Sequence, residues 1–159
     1  MGDRDNAVPR TGDFEEERRR IVDDYARGSY YRTSADRACE EESRGGGIAL
    51  FAFNGESMCF MHVLLNALDM HQKGLTVAVV IEGAACGLVP QLLDESSPLG
   101  GHFLKAEAAG IIAGLCRACA AKAGTLKEAE ARGISLLSDM AGHPSMEAFR
   151  ERGFAIITF

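Results

Sequence analysis

The sequence predicts an α/β protein, with five strands in one open, mostly parallel sheet and helices on both faces. Two observations carry this. From Ile48 onward, short apolar runs of strand length alternate with segments of helical periodicity, the pattern of parallel strands joined by crossover helices. The clearest strand, Leu75–Ile81, is apolar and β-branched rather than alternating, as expected of a strand covered on both faces. At 159 residues the chain is long enough for one domain with a substantial core.

Taken in order, Ile48–Phe53 reads as the first strand, ended by Asn54-Gly55. Ser57–Gln72 reads as a helix with Met58, Met61, Leu64, Leu65 and Leu68 at helical spacing, and Gly74 stops it. After the Leu75–Ile81 strand, Ala84–Leu93 reads as a helix weakened by Gly87 and Pro90, Asp94–Gly101 as a loop, and His102–Ala109 as a short helix. Gly110–Leu115 is the third strand, followed by a helical turn over Cys116–Ala123 and a helix over Leu126–Arg132 that Gly133 stops. Ile134–Leu137 is the fourth strand. Pro144–Arg152 is the last helix, with Pro144 suited to a first helical position and Gly153 to a C-cap, and Phe154–Phe159 closes the sheet.

Residues 1–46 form a separate, charged extension, and 47–159 the α/β domain. The extension holds 21 of the chain's 40 charged residues, and its basic residues are all Arg. Asp13–Tyr25 reads as a helix with acidic residues early, basic residues late, and a thin stripe of Phe14, Ile21, Val22 and Tyr25. The extension reads as a segment that docks on its own domain or a neighbouring subunit. Arg18–Arg20 could instead touch an acidic partner or RNA, but Glu15–Glu17 stand directly before them. Gly45–Gly47 reads as a flexible joint. The formal charge of −6 argues against direct nucleic-acid or membrane-surface binding, which needs a basic face. The longest apolar run, around Leu75–Leu93, is broken by Glu82 and Pro90 and falls short of the ~20 residues of a membrane span. A polar N-terminus and an odd count of five cysteines point to reduced thiols in a cytoplasm.

Ligands of such sheets bind beyond the carboxyl ends of the strands. That edge collects Asn54, Glu56 and Ser57 after the first strand, and Glu82, Gly83 and Cys86 after the second. Cys116 and Cys119 follow the third, and Ser138, Asp139 and His143 the fourth. The chemistry centres on Cys116–Cys119. A thiol where a helix begins faces unpaired N–H groups and the positive end of the helix dipole, which favour thiolate, and Arg117 and Lys122 add positive charge. The same spacing suits a buried structural pair or half of a zinc site, which Cys86 and His143 could complete; a lone CxxC demands neither metal nor cofactor, and none is expected. Glu56 and Glu82 read as helix caps or proton acceptors, and His62 and His71 as surface or core residues of the first helix. No GxGxxG, Walker A or GxSxG pattern occurs. Gly83–Gly87 could approach a phosphate but lacks the third glycine's spacing, which leaves nucleotide binding a weak reading.

The segment Ile111–Gly124 with its Cys116-Arg117-Ala118-Cys119-Ala120 core, the Val79–Gly83 strand end and the closing Ala155–Phe159 resemble the DsrE/DsrF-like family of small sulfur-handling proteins. The resemblance covers about residues 47–159. It implies a flavodoxin-like three-layer α/β/α fold, assembly into trimers or hexamers, and a persulfide carried on the strand-end cysteine, here Cys116. Cys119 would be its neighbour, a second cysteine that sets this chain apart from the simplest relay subunits and that could resolve the persulfide as a Cys116–Cys119 disulfide. On that reading the chain is a sulfur carrier or sulfurtransferase-like protein that exchanges sulfur with donor and acceptor proteins, with Asn54, Glu82, Cys86, Arg117 and His143 lining the substrate site. The alternative is a non-catalytic oligomeric module of the same fold that binds a small ligand or senses redox state.

Overall fold

The computed structural model describes residues 46–159. The expected helix at Asp13–Tyr25 lies outside the described residues, as does the rest of the extension up to residue 45. The described chain runs β1 (Ile48–Ala52), α1 (Ser57–Gln72), β2 (Val77–Ile81), a 3₁₀ segment (Gly83–Leu88), α2 (Val89–Leu92), α3 (Pro98–Ala108), β3 (Ile112–Cys116), α4 (Arg117–Ala123), α5 (Leu126–Arg132), β4 (Leu136–Leu137), α6 (Met146–Arg150) and β5 (Ala155–Thr158). All five strands are parallel, in the order β4-β3-β2-β1-β5. The expected three-layer α/β fold is present.

Strand order explains why the two helical layers are unequal. From β1 to β4 each strand is added on the same side of the last, so right-handed crossovers lay every intervening helix on one face. The return from β4 to β5 passes back over the sheet and leaves α6 on the other face. The core divides accordingly, by the period-two alternation of strands. Leu50, Val77, Val79 and Ile81 face the large cluster built with Phe60, Leu64, Leu92 and Phe103. Ala49, Phe51, Ala78 and Val80 face a small cluster built around Phe149. Phe149 meets Phe51 edge to face at 5.3 Å and Phe154 at 5.8 Å, with the Arg152 guanidinium 4.3 Å above its ring.

Four local expectations are corrected. In α1 the buried positions are Phe60, Val63, Leu64 and Ala67, an i, i+3, i+4, i+7 stripe. Met58, expected in that stripe, is 75% exposed, and Leu65 is exposed as well. The expected helix over Ala84–Leu93 is a 3₁₀ segment followed by a single α-turn, because Pro90 has no N–H to donate and its ring crowds the carbonyl four residues earlier. That carbonyl, on Cys86, accepts instead from the Thr125 hydroxyl at 2.9 Å. The expected loop over Asp94–Gly101 is helical from Pro98, with Ser97 as N-cap accepting from the Gly100 N–H at 2.9 Å. Gly100 is a close-approach residue rather than a turn residue, since a side chain there would collide with the Asp94 carbonyl. The last helix begins after Pro144, with Ser145 as its cap.

Candidate functional site

β2, β3 and β4 are adjacent, so their carboxyl ends form one stretch of sheet edge. Glu82 follows β2 directly, Cys116 is both the last residue of β3 and the N-cap of α4, and Cys119 lies within the first turn of α4. His143 arrives on the loop after β4. There Met140 and His143 exchange backbone hydrogen bonds at 2.8 and 2.9 Å across Ala141 and Gly142, both at positive φ (50° and 89°). This is the pattern of a type I′ turn. The Gly142 carbonyl then accepts from the Ala118 N–H at 2.9 Å, which uses one of the unpaired donors at the start of α4 and ties the turn to that helix.

Four side-chain atoms converge. His143 Nδ1 lies 3.2 Å from Cys116 Sγ, 3.7 Å from Cys119 Sγ and 3.2 Å from Glu82 Oε1. The four candidate donor atoms all lie within 4.8 Å of one another. Cys116 Sγ also accepts weakly from the Cys119 N–H at 3.4 Å and lies 3.7 Å from the Gly142 carbonyl. Cys116 is buried, Cys119 half-buried. Cys119 faces a cleft of about 440 Å³ that Gly83, Ala84, Lys122 and Ala123 complete.

The other expected site residues stand apart from this cluster. Cys86 lies buried beneath it, its thiol directed at the Ile81 and Cys116 carbonyls at 3.6 and 3.9 Å. Arg117, expected beside the thiolate, reaches toward Glu130 of α5, 4.0 Å away on the surface. Asn54 accepts from the Glu56 N–H at 2.9 Å in a local turn after β1, one strand farther along the edge.

The expected stabilisation of the Cys116 thiolate is also corrected. Burial is the largest influence and raises the thiol to about 11; the Cys119 N–H works in the opposite direction and is outweighed. Burial likewise pushes Cys86 up to about 12, reinforced by Cys119, Cys116 and Glu82. Both are raised above the ordinary value of 9.0, so their protonated forms favour the fold below about pH 9, and that advantage is lost as pH rises through 11 to 12. Chemical unfolding should therefore show the native chain losing stability above about pH 9. Cys86→Ala should lose less over that interval, so its stability difference from the native chain should narrow. A constant difference would mean that Cys86 ionises as freely in the fold as in the unfolded chain.

Among the described residues no helix is long and apolar enough to cross a membrane. No protein-family model matches the chain, and no solved structure matches it significantly. It is similar to the uncharacterized protein MJ0733 of Methanocaldococcus jannaschii, with 33% identity over 97 residues, 61% of this chain and 77% of that protein. It is also similar to an uncharacterized protein of Archaeoglobus fulgidus, with 30% identity over 56 residues, 35% of this chain and 90% of that protein.

Proposed function

The chain belongs to the family of the uncharacterized archaeal protein MJ0733, and from the cluster at its sheet edge we propose that it is a cytoplasmic sulfur carrier of the DsrE/DsrF-like kind. The observation that carries the reading is the contact of Cys116 Sγ with His143 Nδ1 at 3.2 Å, beside the Glu82 carboxylate. A thiol that burial keeps protonated needs a base to become a nucleophile, and His143 stands within reach of both sulfurs. The proton passes from Cys116 to His143 Nδ1, and Glu82 stabilises the imidazolium.

The Cys116 thiolate attacks the terminal sulfur of a donor persulfide. The new S–S bond forms on Cys116, the donor's S–S bond breaks, and the donor leaves as thiolate, with no net oxidation. A partner thiolate removes the sulfur by the same exchange. Alternatively, Cys119 attacks the inner sulfur of the Cys116 persulfide, forms the Cys116–Cys119 disulfide and releases hydrosulfide. Cys119, at the cleft, is the sulfur that a partner reaches first. Assembly into trimers or hexamers belongs to the same reading, and the exposed Ile157 and Phe159 at β5, an edge strand among the described residues, support contact between copies.

The test is peptide mass spectrometry after incubation with a polysulfide, on metal-free native chain, Cys116→Ser and Cys119→Ser. The expected result is one added sulfur atom on Cys116, absent from Cys116→Ser and retained in Cys119→Ser. Addition to no cysteine, or equally to all five, would overturn the reading.

A further inference from the structure

Three acidic side chains, the Glu82 carboxyl and the Cys116 and Cys119 thiols, are aimed at one ring nitrogen. A serine-protease-like triad divides its partners between the two imidazole nitrogens, the base function on one and the orienting carboxylate on the other. Here Oε1 and both sulfurs crowd Nδ1 alone, at 3.2, 3.2 and 3.7 Å. That nitrogen has one position, a lone pair or an N–H, to offer three groups, and Glu82 is only 12% exposed. The nearby Arg117 turns away to Glu130. A cation placed between the four groups would satisfy all of them together.

The spacing suits such a cation. Tetrahedral zinc, with bonds of about 2.0–2.1 Å to nitrogen, 2.0–2.2 Å to oxygen and 2.3 Å to sulfur, separates neighbouring N and O donors by about 3.4 Å and N and S donors by about 3.6 Å. The three distances from Nδ1 match those edges within a few tenths of an ångström. All four donor atoms also lie within 4.8 Å of one another, close enough to converge on one point between them.

We infer that Glu82, Cys116, Cys119 and His143 form a binding site for one thiophilic divalent cation, of which zinc is the best fit. Two thiolates and an imidazole select a borderline-soft ion over magnesium or calcium, which take oxygen donors. The fold supplies the donors from four separate places along the chain, the end of β2, the end of β3, the first turn of α4 and the turn after β4. The inference uses the residues of the proposed sulfur site but does not rest on sulfur transfer. It adds that cation binding and sulfur loading exclude each other, because the ion occupies the lone pairs that attack a persulfide.

Cobalt(II) titration of the reduced, metal-stripped full chain tests this directly. The expected result is one equivalent bound, with the intense visible bands of a tetrahedral ion and near-ultraviolet thiolate-to-cobalt charge transfer, both displaced by zinc. Cys119→Ser and His143→Ala, whose side chains are only partly buried, should each weaken binding by about a hundredfold or more, at least as much as loss of an outer-shell partner does. Circular dichroism confirms that these variants are folded. Bound zinc should protect Cys116 and Cys119 from alkylation while the exposed Cys59 reacts at an unchanged rate.

An octahedral spectrum, binding unaffected by Cys119→Ser, or equal protection of Cys59 would overturn the inference. Sulfur loading is measured separately on chelator-treated chain. Tetrahedral cobalt without loading would leave the cation site standing and remove the sulfur reading; loading without tetrahedral cobalt would do the reverse.

Discussion

Replacing His143 by alanine should slow sulfur loading of Cys116 by about a hundredfold near neutral pH, the lower part of the range for a positioned general base. The reason is local. Burial holds the Cys116 thiol protonated up to about pH 11, and His143 Nδ1 at 3.2 Å is the base placed to receive its proton. The pH profile separates loss of the base from loss of structure. Without His143 the rate should climb steadily as pH approaches 11 and the thiol ionises unaided, narrowing the gap to the native chain. Glu82→Gln keeps the side chain's shape but removes the charge beside the imidazolium. It should slow loading by about tenfold and shift the same profile. Loading rates are read by quenched-flow mass spectrometry on chelator-treated protein. An unchanged rate in His143→Ala, or a gap that stays constant to high pH, would remove His143 from the chemistry.

The second large effect concerns stability. Phe149→Ala should destabilise the chain by about 3–5 kcal/mol, the usual cost of emptying a buried phenylalanine site. At roughly 2–4 °C per kcal/mol for a chain of this size, Tm falls by about 10 °C. Phe149 is the buried side chain of α6, the one helix among the described residues that packs on the second face of the sheet. Its loss opens Phe51, Ala49 and Val80 together and removes two edge-to-face ring contacts. Met58→Ala on the opposite layer serves as the control, because Met58 is exposed and the change should stay within about 0.5 kcal/mol. Calorimetry that found the two variants equally stable would mean that α6 contributes little to the fold.

How much of this was legible in the chain differs between fold and site. The strands were legible because a parallel strand buried on both faces has to be apolar along its whole length, as Val77–Ile81 is. The start of α3 was harder to read. Gly100 and Gly101 resemble a turn by composition, and only the packing of Gly100 against the Asp94 carbonyl shows why a helix holds a glycine there. The buried face of α1 is ambiguous in the chain for a related reason. Met58 and Leu65 have the spacing of a core stripe, but Phe60, Val63, Leu64 and Ala67 have it too, and the sheet beneath decides which stripe is covered.

For the site, the chemical types and their arrival at strand ends were legible in the chain: a carboxylate after β2, two thiols around the β3–α4 junction, and an imidazole after β4. Which of them meet depends on the order of the strands in the sheet. Chain order does not reveal spatial order, and the arrangement β4-β3-β2-β1-β5 joins Glu82, Cys116, Cys119 and His143. It leaves Asn54 a strand away, Cys86 beneath the cluster and Arg117 facing Glu130. Tertiary structure also reversed the thiol's tendency. A cysteine at a helix start reads as a stabilised thiolate, yet Cys116 sits where water is excluded, and the cost of burying a charge exceeds what one N–H at 3.4 Å returns.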